Sequence, residues 1–236
     1  MKKYAFLTAV LLLCFMGTAV ADEIDGLMEQ LSNGNPAERL TAAKELGGSK
    51  DPRGVGPLIK ALKSDRNWDV RLAAEDALVS IGSSSVTPLI QMLKEEGNCF
   101  VRRRSARALK EIKDPRAVEA LENAALKDAD CCVRRFAAMA LADINDPKAA
   151  EFLDNAMKNR NLQIISAAYP YYIRKGMPGT EDTLIDSLRK FAYFKKMVCD
   201  FACCNNEKLK QAAEEIAKSR KYTTPSNWSG PSWGKI

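Results

Sequence analysis

Residues 70–81 read Val70-Arg71-Leu72-Ala73-Ala74-Glu75-Asp76-Ala77-Leu78-Val79-Ser80-Ile81. Val70, Ala73, Ala74, Ala77, Leu78 and Ile81 recur at the spacing of a helix buried along one stripe. The stripe returns as Val133, Phe136, Ala137, Ala140, Leu141 and Ile144. It returns again as Val101, Arg104, Ser105, Ala108, Leu109 and Ile112, where one slot is basic and Arg104 is expected to border solvent. With Glu38-Arg39-Leu40 as the first copy, the openings start 32, 31 and 32 residues apart. Such a period marks stacked repeats, in which no unit buries its apolar face alone. The expected fold is all-α: a right-handed α-α superhelix, a solenoid of about five two-helix repeats with end caps.

Two columns carry the packing. Ala42, Ala74, Ser105, Ala137 and Ala168 form a small-residue column that permits close helix approach, and Leu46, Leu78, Leu109, Leu141 and Tyr172 fill the space beside it. Second helices are predicted at Val55 to Lys63, Val86 to Lys94, Ala117 to Lys127 and Ala149 to Lys158. Asp51-Pro52, Asp114-Pro115 and Asp146-Pro147 introduce three of them, Asp as cap and Pro in the first turn. The repeats run at about 35–66, 67–98, 99–130, 131–161 and 162–190, the fifth divergent and carrying Pro170 in its first helix. Ile24 to Leu31 reads as an N-terminal capping helix and Asn205 to Ser219 as a last one, closing a solenoid over 22–219; an irregular tail fills 220–236.

Residues 1–21 read as a signal peptide, with Lys2 and Lys3 before an apolar run from Tyr4 through Met16 and small residues at Ala19 and Ala21. Export to a bacterial periplasm or beyond is the expectation, with no transmembrane anchor after processing, because the run is shorter than the roughly 20 residues a span requires. Cys14 raises lipidation as an alternative, which Leu13 opposes by standing where a small residue is expected. Removing the leader lowers the net charge from +6 to +4, too mild a surplus to argue for nucleic acid.

Val-Arg-x-Ala-Ala, then Ala-Leu, then Asp-Pro-Arg-Ala-Val and a Leu-rich second helix resemble the short HEAT-like repeat of the phycobilisome-lyase type over residues 35 to about 190. Ala168-Tyr169-Pro170-Tyr171-Tyr172-Ile173, Gly179-Thr180-Glu181-Asp182 and Asn205 through Tyr222 resemble the C-terminal cap of exported bacterial HEAT-repeat proteins without an established activity. The resemblance implies fold strongly and function weakly. Some members of that class are di-iron hydroxylases with His-Glu ligands, and others attach bilins. This chain has no histidine, which excludes the His-Glu iron site and Ser-His or Cys-His nucleophile systems. Export argues against bilin attachment. The chain is therefore expected to be a non-catalytic scaffold for a protein or peptide partner, with no cofactor and no metal. Alternatives are an assembly factor for a cofactor-containing envelope complex and a cysteine-based redox or metal-handling protein.

Cys99, Cys131, Cys132, Cys199, Cys203 and Cys204 follow the leader. Cys99 and Cys131 hold equivalent slots in neighbouring units, about 8–10 Å apart, whereas a disulfide needs Cα atoms within about 7 Å. Buried thiols, a disulfide at another pair and a Cys-x3-Cys-Cys metal site all stay open. Arg39, Arg71, Arg102 and Arg134, thickened by Arg103, Arg104, Arg107 and Arg135, form a ladder that either ties repeats to acidic side chains and helix ends or binds phosphate. Tyr169, Tyr171, Tyr172, Phe191, Tyr193, Phe194 and Phe201 either plug the open end of the core or form a ligand platform. Trp228 and Trp233 either fold back or stay mobile.

The resemblance assigns the concave face to the second helices. Aligning them places Lys60, Gln91, Asn123, Asn155 and Asp186 in one column, with Ile59, Ile90, Glu122, Asp154 and Ile185 beside it. Both columns turn from basic or apolar to acidic and polar toward the C-terminus. The expected ligand is a partner segment with an apolar anchor near Ile59 and Ile90 and basic residues near Glu122 and Asp154.

Overall fold

A computed structural model describes residues 23–223 and 230–234. The leader, Cys14 and Trp228 lie outside the described residues. The chain divides into two compact units, the first ending at Ile112 and the second beginning at Lys113. Among the described residues every regular element is helical.

The first unit holds α1 (23–33), α2 (Pro36–Ser49), α3 (Val55–Ser64), α4 (Trp68–Ile81), α5 (Val86–Glu95) and α6 (Cys99–Ile112). The second holds α7 (Val118–Lys127), α8 (Cys131–Asp143), α9 (Pro147–Lys158), α10 (Leu162–Lys175), α11 (Glu181–Phe191), α12 (Lys195–Cys203) and α13 (Glu207–Ser219). Even-numbered helices from α2 to α10 carry the small-residue column. All its members, Ala42, Ala74, Ser105, Ala137 and Ala168, are fully buried, and so is the bulky column from Leu46 to Tyr172 beside it. Contact is close at Gly47 of α2, where an added Cβ would stand 2.7 Å from the Cα of Ala77 on α4.

Helix starts follow the polar caps in the sequence. Asn35 accepts from the N–H groups of Ala37 and Glu38, and Glu38 returns a bond to the Asn35 N–H, so two orphan donors are satisfied reciprocally. Asn67, Asp130, Asp146 and Asn161 cap α4, α8, α9 and α10 by accepting from first-turn N–H groups, without the reciprocal bond. Inside the repeats, Asp51 and Asp114 each accept from a backbone N–H two residues on and from the guanidinium of that same residue, Arg53 or Arg116. These carboxylates open the 3-10 turns Pro52–Gly54 and Pro115–Ala117.

Arg104 departs from expectation. It is buried, not at the solvent border, because Glu75 on α4 supplies a carboxylate beneath it and the Trp68 ring lies 4.2 Å from its guanidinium carbon. The helix α12 was not foreseen either: Met197, Val198 and Phe201 bury its inner face, but Phe194 at its N-cap makes no side-chain capping bond that would signal a start.

Candidate partner-binding surface

The arginine ladder is structural. At the N-terminal turn of each first helix, the guanidinium reaches back to the carbonyl that ends the preceding helix. Arg71 donates to the Asp65 carbonyl, Arg102 to Glu96 and Gly97, and Arg134 to Asp128 and Ala129. A cation thereby meets orphan carbonyls at a helix C-terminus. The ladder also reaches forward: Arg39 holds the Asp65 carboxylate through two bonds of 2.7 and 2.9 Å, and Gln163, with its amide oxygen inward, accepts from Arg134. The Arg39 guanidinium draws the Asp65 carboxyl below its ordinary range. These bonds favour the tie between repeats over the phosphate ladder.

In the first unit, Ile59 and Ile90 are half-buried, and Lys60 and Gln91 are exposed. Gln91 donates to Glu95 one turn on, at 3.1 Å. Lys60 lines a cavity of about 360 Å³ with Leu31, Gly34, Arg39, Asp65 and Arg66, closed on one side by the end of α1.

In the second unit, Asn123 and Asn155 are exposed, and Glu122, Asp154 and Asp186 are half-buried. Ile185, expected on the open column, is buried. Two of the acidic positions are engaged within the chain. Asp154 pairs with Lys175, and Asp186 lies 2.6 Å from Arg160, which also donates to Thr183. Burial works against the Lys175 ammonium, but the Asp154 carboxylate and the Tyr171 hydroxyl more than offset it, so its pKa rises. Glu122 is different. Partial burial pushes its carboxyl up, Lys148 pulls it back, and Glu119, Glu151 and Asp146 add to the rise. One turn along α7 from Glu122, Leu126 is more than half exposed at a largely apolar notch of about 210 Å³, with Phe152, Asn155 and Ile164. The structure therefore brings Glu122, Asn155 and an apolar notch together on α7 and α9, and turns Asp154 and Asp186 to other uses. Leu126 and Phe152 were missed because each reads as one more core residue.

The aromatic cluster is mostly internal. Tyr169, Tyr172 and Phe201 are buried; the Tyr172 hydroxyl donates to the Leu153 carbonyl at 2.8 Å, and that of Tyr169 to Asp200. Burial, with the Asp200 carboxylate adding to it, raises the Tyr169 pKa well above a free phenol's. Tyr193 alone of the seven is exposed. Trp233 folds back, its backbone N–H donating to the Asn205 side-chain oxygen, while the Gly234 N–H donates to the Ile173 carbonyl.

Cys99, Cys131, Cys199, Cys203 and Cys204 are free thiols, Cys199 and Cys204 buried, and burial pushes the Cys204 thiol up. Among the described residues no cluster of three or more Cys, Asp or Glu is placed to hold a metal, and no helix is long and apolar enough to cross a membrane.

The HEAT repeats family matches residues 24–97 and 86–169, together more than half of the chain. Over 112 residues, 47% of this chain and 51% of the relative, the chain is 33% identical to phycocyanin alpha phycocyanobilin lyase CpcF of Synechocystis sp.. The chain thus spans about half the length of that curated relative. Among solved structures, the complex of CpcE and CpcF of phycocyanin lyase from Nostoc sp. PCC7120 is similar over 86% of this chain and 90% of that chain, with a TM-score of 0.48 and 20% identity. The match to CpcF corrects the expectation that the chain is not an enzyme, because the relative is named as a lyase. A missing imidazole removes only imidazole-dependent chemistry and leaves carboxylates, phenols, amines and thiols as proton carriers. With the family matched across most of the helical array, the chain belongs to the HEAT-repeat family, and its repeats are of the phycobilisome-lyase HEAT-like type.

Proposed function

We propose that the chain is an exported HEAT-like scaffold that captures a protein partner on the surface of its second helices. The observation that carries this reading is the pairing of an open apolar notch, formed by Leu126 of α7, Phe152 of α9 and Ile164 at the start of α10, with the carboxylate group around Glu122. A partner segment fits there through one apolar side chain in the notch and basic side chains over Glu122, Glu119 and Glu151. Discharging several neighbouring carboxylates is a gain that solvent alone does not provide. Export rests on the leader at residues 1–21.

The test is capture from an envelope extract by wild type and by Glu122→Lys/Glu151→Lys. Loss of the captured band at an unchanged circular-dichroism melt supports the reading, and undiminished capture by the double variant sinks it. The similarity to CpcF favours a second reading, in which the captured protein is the substrate of a lyase reaction. Incubation with phycocyanobilin and an apo-phycocyanin alpha subunit tests it; a visible spectrum unaltered by adding this chain counts against it.

A further inference from the structure

From Arg189 to Lys196 the chain reads Arg-Lys-Phe-Ala-Tyr-Phe-Lys-Lys, in which cations bracket three aromatic rings. The segment joins the end of α11 to the start of α12. No Asp or Glu stands between Asp186 and Asp200, and both of these are occupied. Asp186 pairs with Arg160, and the buried Asp200 holds Lys196 and the Tyr169 hydroxyl. Among the described residues, the side chains of Arg189, Lys190 and Lys195 are exposed and form neither an ion pair nor a hydrogen bond.

The rings form one connected surface. Tyr193, 58% exposed, packs against Phe194 with ring centres 4.2 Å apart and against Phe191 at 6.2 Å. The Lys190 ammonium stands 5.7 Å from the centre of the Phe191 ring. Beside Phe194, at 4.9 Å, lies the guanidinium of Arg135 on α8, which also faces Phe136 and whose Nε is enclosed without a hydrogen-bond partner. Ala192, almost fully buried, anchors the turn to the core, so the rings around it are held in place. Linked rings at an exposed turn, edged by unpaired cations, are more than a scattered exposed apolar residue. We propose that this turn docks on the surface of an anionic phospholipid bilayer, with Tyr193 and the open edges of Phe191 and Phe194 at headgroup depth and Arg189, Lys190 and Lys195 against the lipid phosphates.

Charge and composition decide the occupant. A phenol with an apolar body and a polar tip, flanked by long cationic side chains, matches the boundary between headgroups and acyl chains. A few basic residues beside such an anchor are what an anionic leaflet attracts. A nucleic-acid backbone draws its affinity from a longer track of cations. An acidic protein segment anchors in a pocket, and the cavities at Leu31 and at Leu126 are lined by other residues. No described helix is long and apolar enough to cross a membrane, so the contact is with the bilayer surface. None of the turn's residues lines the notch at Leu126, so this proposal and the capture reading fail separately.

The experiment follows hydrogen exchange and sedimentation of the full chain with vesicles of mixed phosphatidylglycerol and phosphatidylcholine, and with vesicles of phosphatidylcholine alone. On the anionic vesicles, residues 189–195 should gain exchange protection. Binding should weaken about fivefold for each cation removed, hence about a hundredfold for Arg189→Gln/Lys190→Gln/Lys195→Gln. Tyr193→Ser should also weaken it, and so should salt. The substituted side chains are exposed, so the circular-dichroism melt should not move, and the leader is common to every variant, so the differences belong to the turn. No gain of protection at 189–195, an equal gain on phosphatidylcholine alone, or undiminished binding by the triple variant would overturn the proposal. Polyglutamate or a single-stranded oligonucleotide that protects the same residues as strongly as the vesicles do would also overturn it, in favour of a protein or a nucleic acid.

Discussion

The carboxylate of Glu75 lies beneath the guanidinium of Arg104, although 29 positions separate them in the chain. Glu75 is 2% exposed, and burial raises its pKa against the pull of Arg107 and Arg104. Removing Arg104 leaves a buried carboxylate with one partner fewer. Arg104→Ala should therefore cost about 3 kcal/mol in urea unfolding, and Glu75→Gln, which removes the charge and keeps the shape, distinctly less. Equal costs for the two would show that the pair contributes only packing.

Asp65 gives the pH dependence. Arg39 lowers its folded-state pKa below the ordinary 3.8, so its stabilisation is fully present above the unfolded value and is lost as pH falls through the lower folded one. Glu75 has the opposite sign, its raised pKa making stability decline as pH rises through the folded value. Asp65→Asn should flatten the acid side of the stability curve below about pH 4 and leave the neutral slope unchanged. An identical acid limb in Asp65→Asn would place the acid sensitivity elsewhere.

Ala137 has no accessible surface in the small-residue column of α8. Ala137→Leu should force α8 from its neighbours and cost about 1–3 kcal/mol by overpacking. In a repeat array the loss of hydrogen-exchange protection should centre on α8 and α10. Protection lost evenly over the whole chain would contradict nearest-neighbour packing.

At the C-terminal end, Gly176 has φ +60°, and a Cβ there would stand 2.5 Å from the backbone of Gly234. Gly176→Ala strains the left-handed turn and displaces the returning segment, for about 1 kcal/mol or more. Residues 230–234 should lose exchange protection before α10 does. Retained protection would mean that the bonds to Asn205 and Ile173 suffice without the close glycine contact.

Processing is predicted after Ala21, from the small residues at Ala19 and Ala21. Intact-mass analysis of protein from the envelope fraction should give Asp22 as first residue. A lipid-modified Cys14 or an unprocessed cytoplasmic chain would remove the basis for export.

The array was legible because its information is local and repeated. A column such as Ala42, Ala74, Ser105, Ala137 and Ala168 shows itself by periodicity alone, and the Asp-Pro turns name their own caps. What the sequence concealed depends on partners far along the chain. Arg104 looked solvent-facing because only the fold brings Glu75 and Trp68 to it, and Asp154 and Asp186 looked available because Lys175 and Arg160 reach them across helices. Glu122, which the column reading named, is half-buried one turn from the notch, and the notch itself stayed hidden because Leu126 and Phe152 share their residue types with the core. Histidine's absence bounded the chemistry without settling whether there is any, and the lyase relative shows the difference.

The turn arginines bear on how such a chain changes length. Arg71, Arg102 and Arg134 each close on a carbonyl six residues behind them, so the clamp belongs to the same stretch of gene as the helix it serves. A duplication or deletion cut from one arginine to the next, a step of 31 or 32 residues, carries every cap and clamp with it. The junction it creates has the same bonds as those it replaces. Unequal recombination within such a gene can therefore lengthen or shorten the array without inventing a new turn, and selection acts afterwards on the side chains the added helices display.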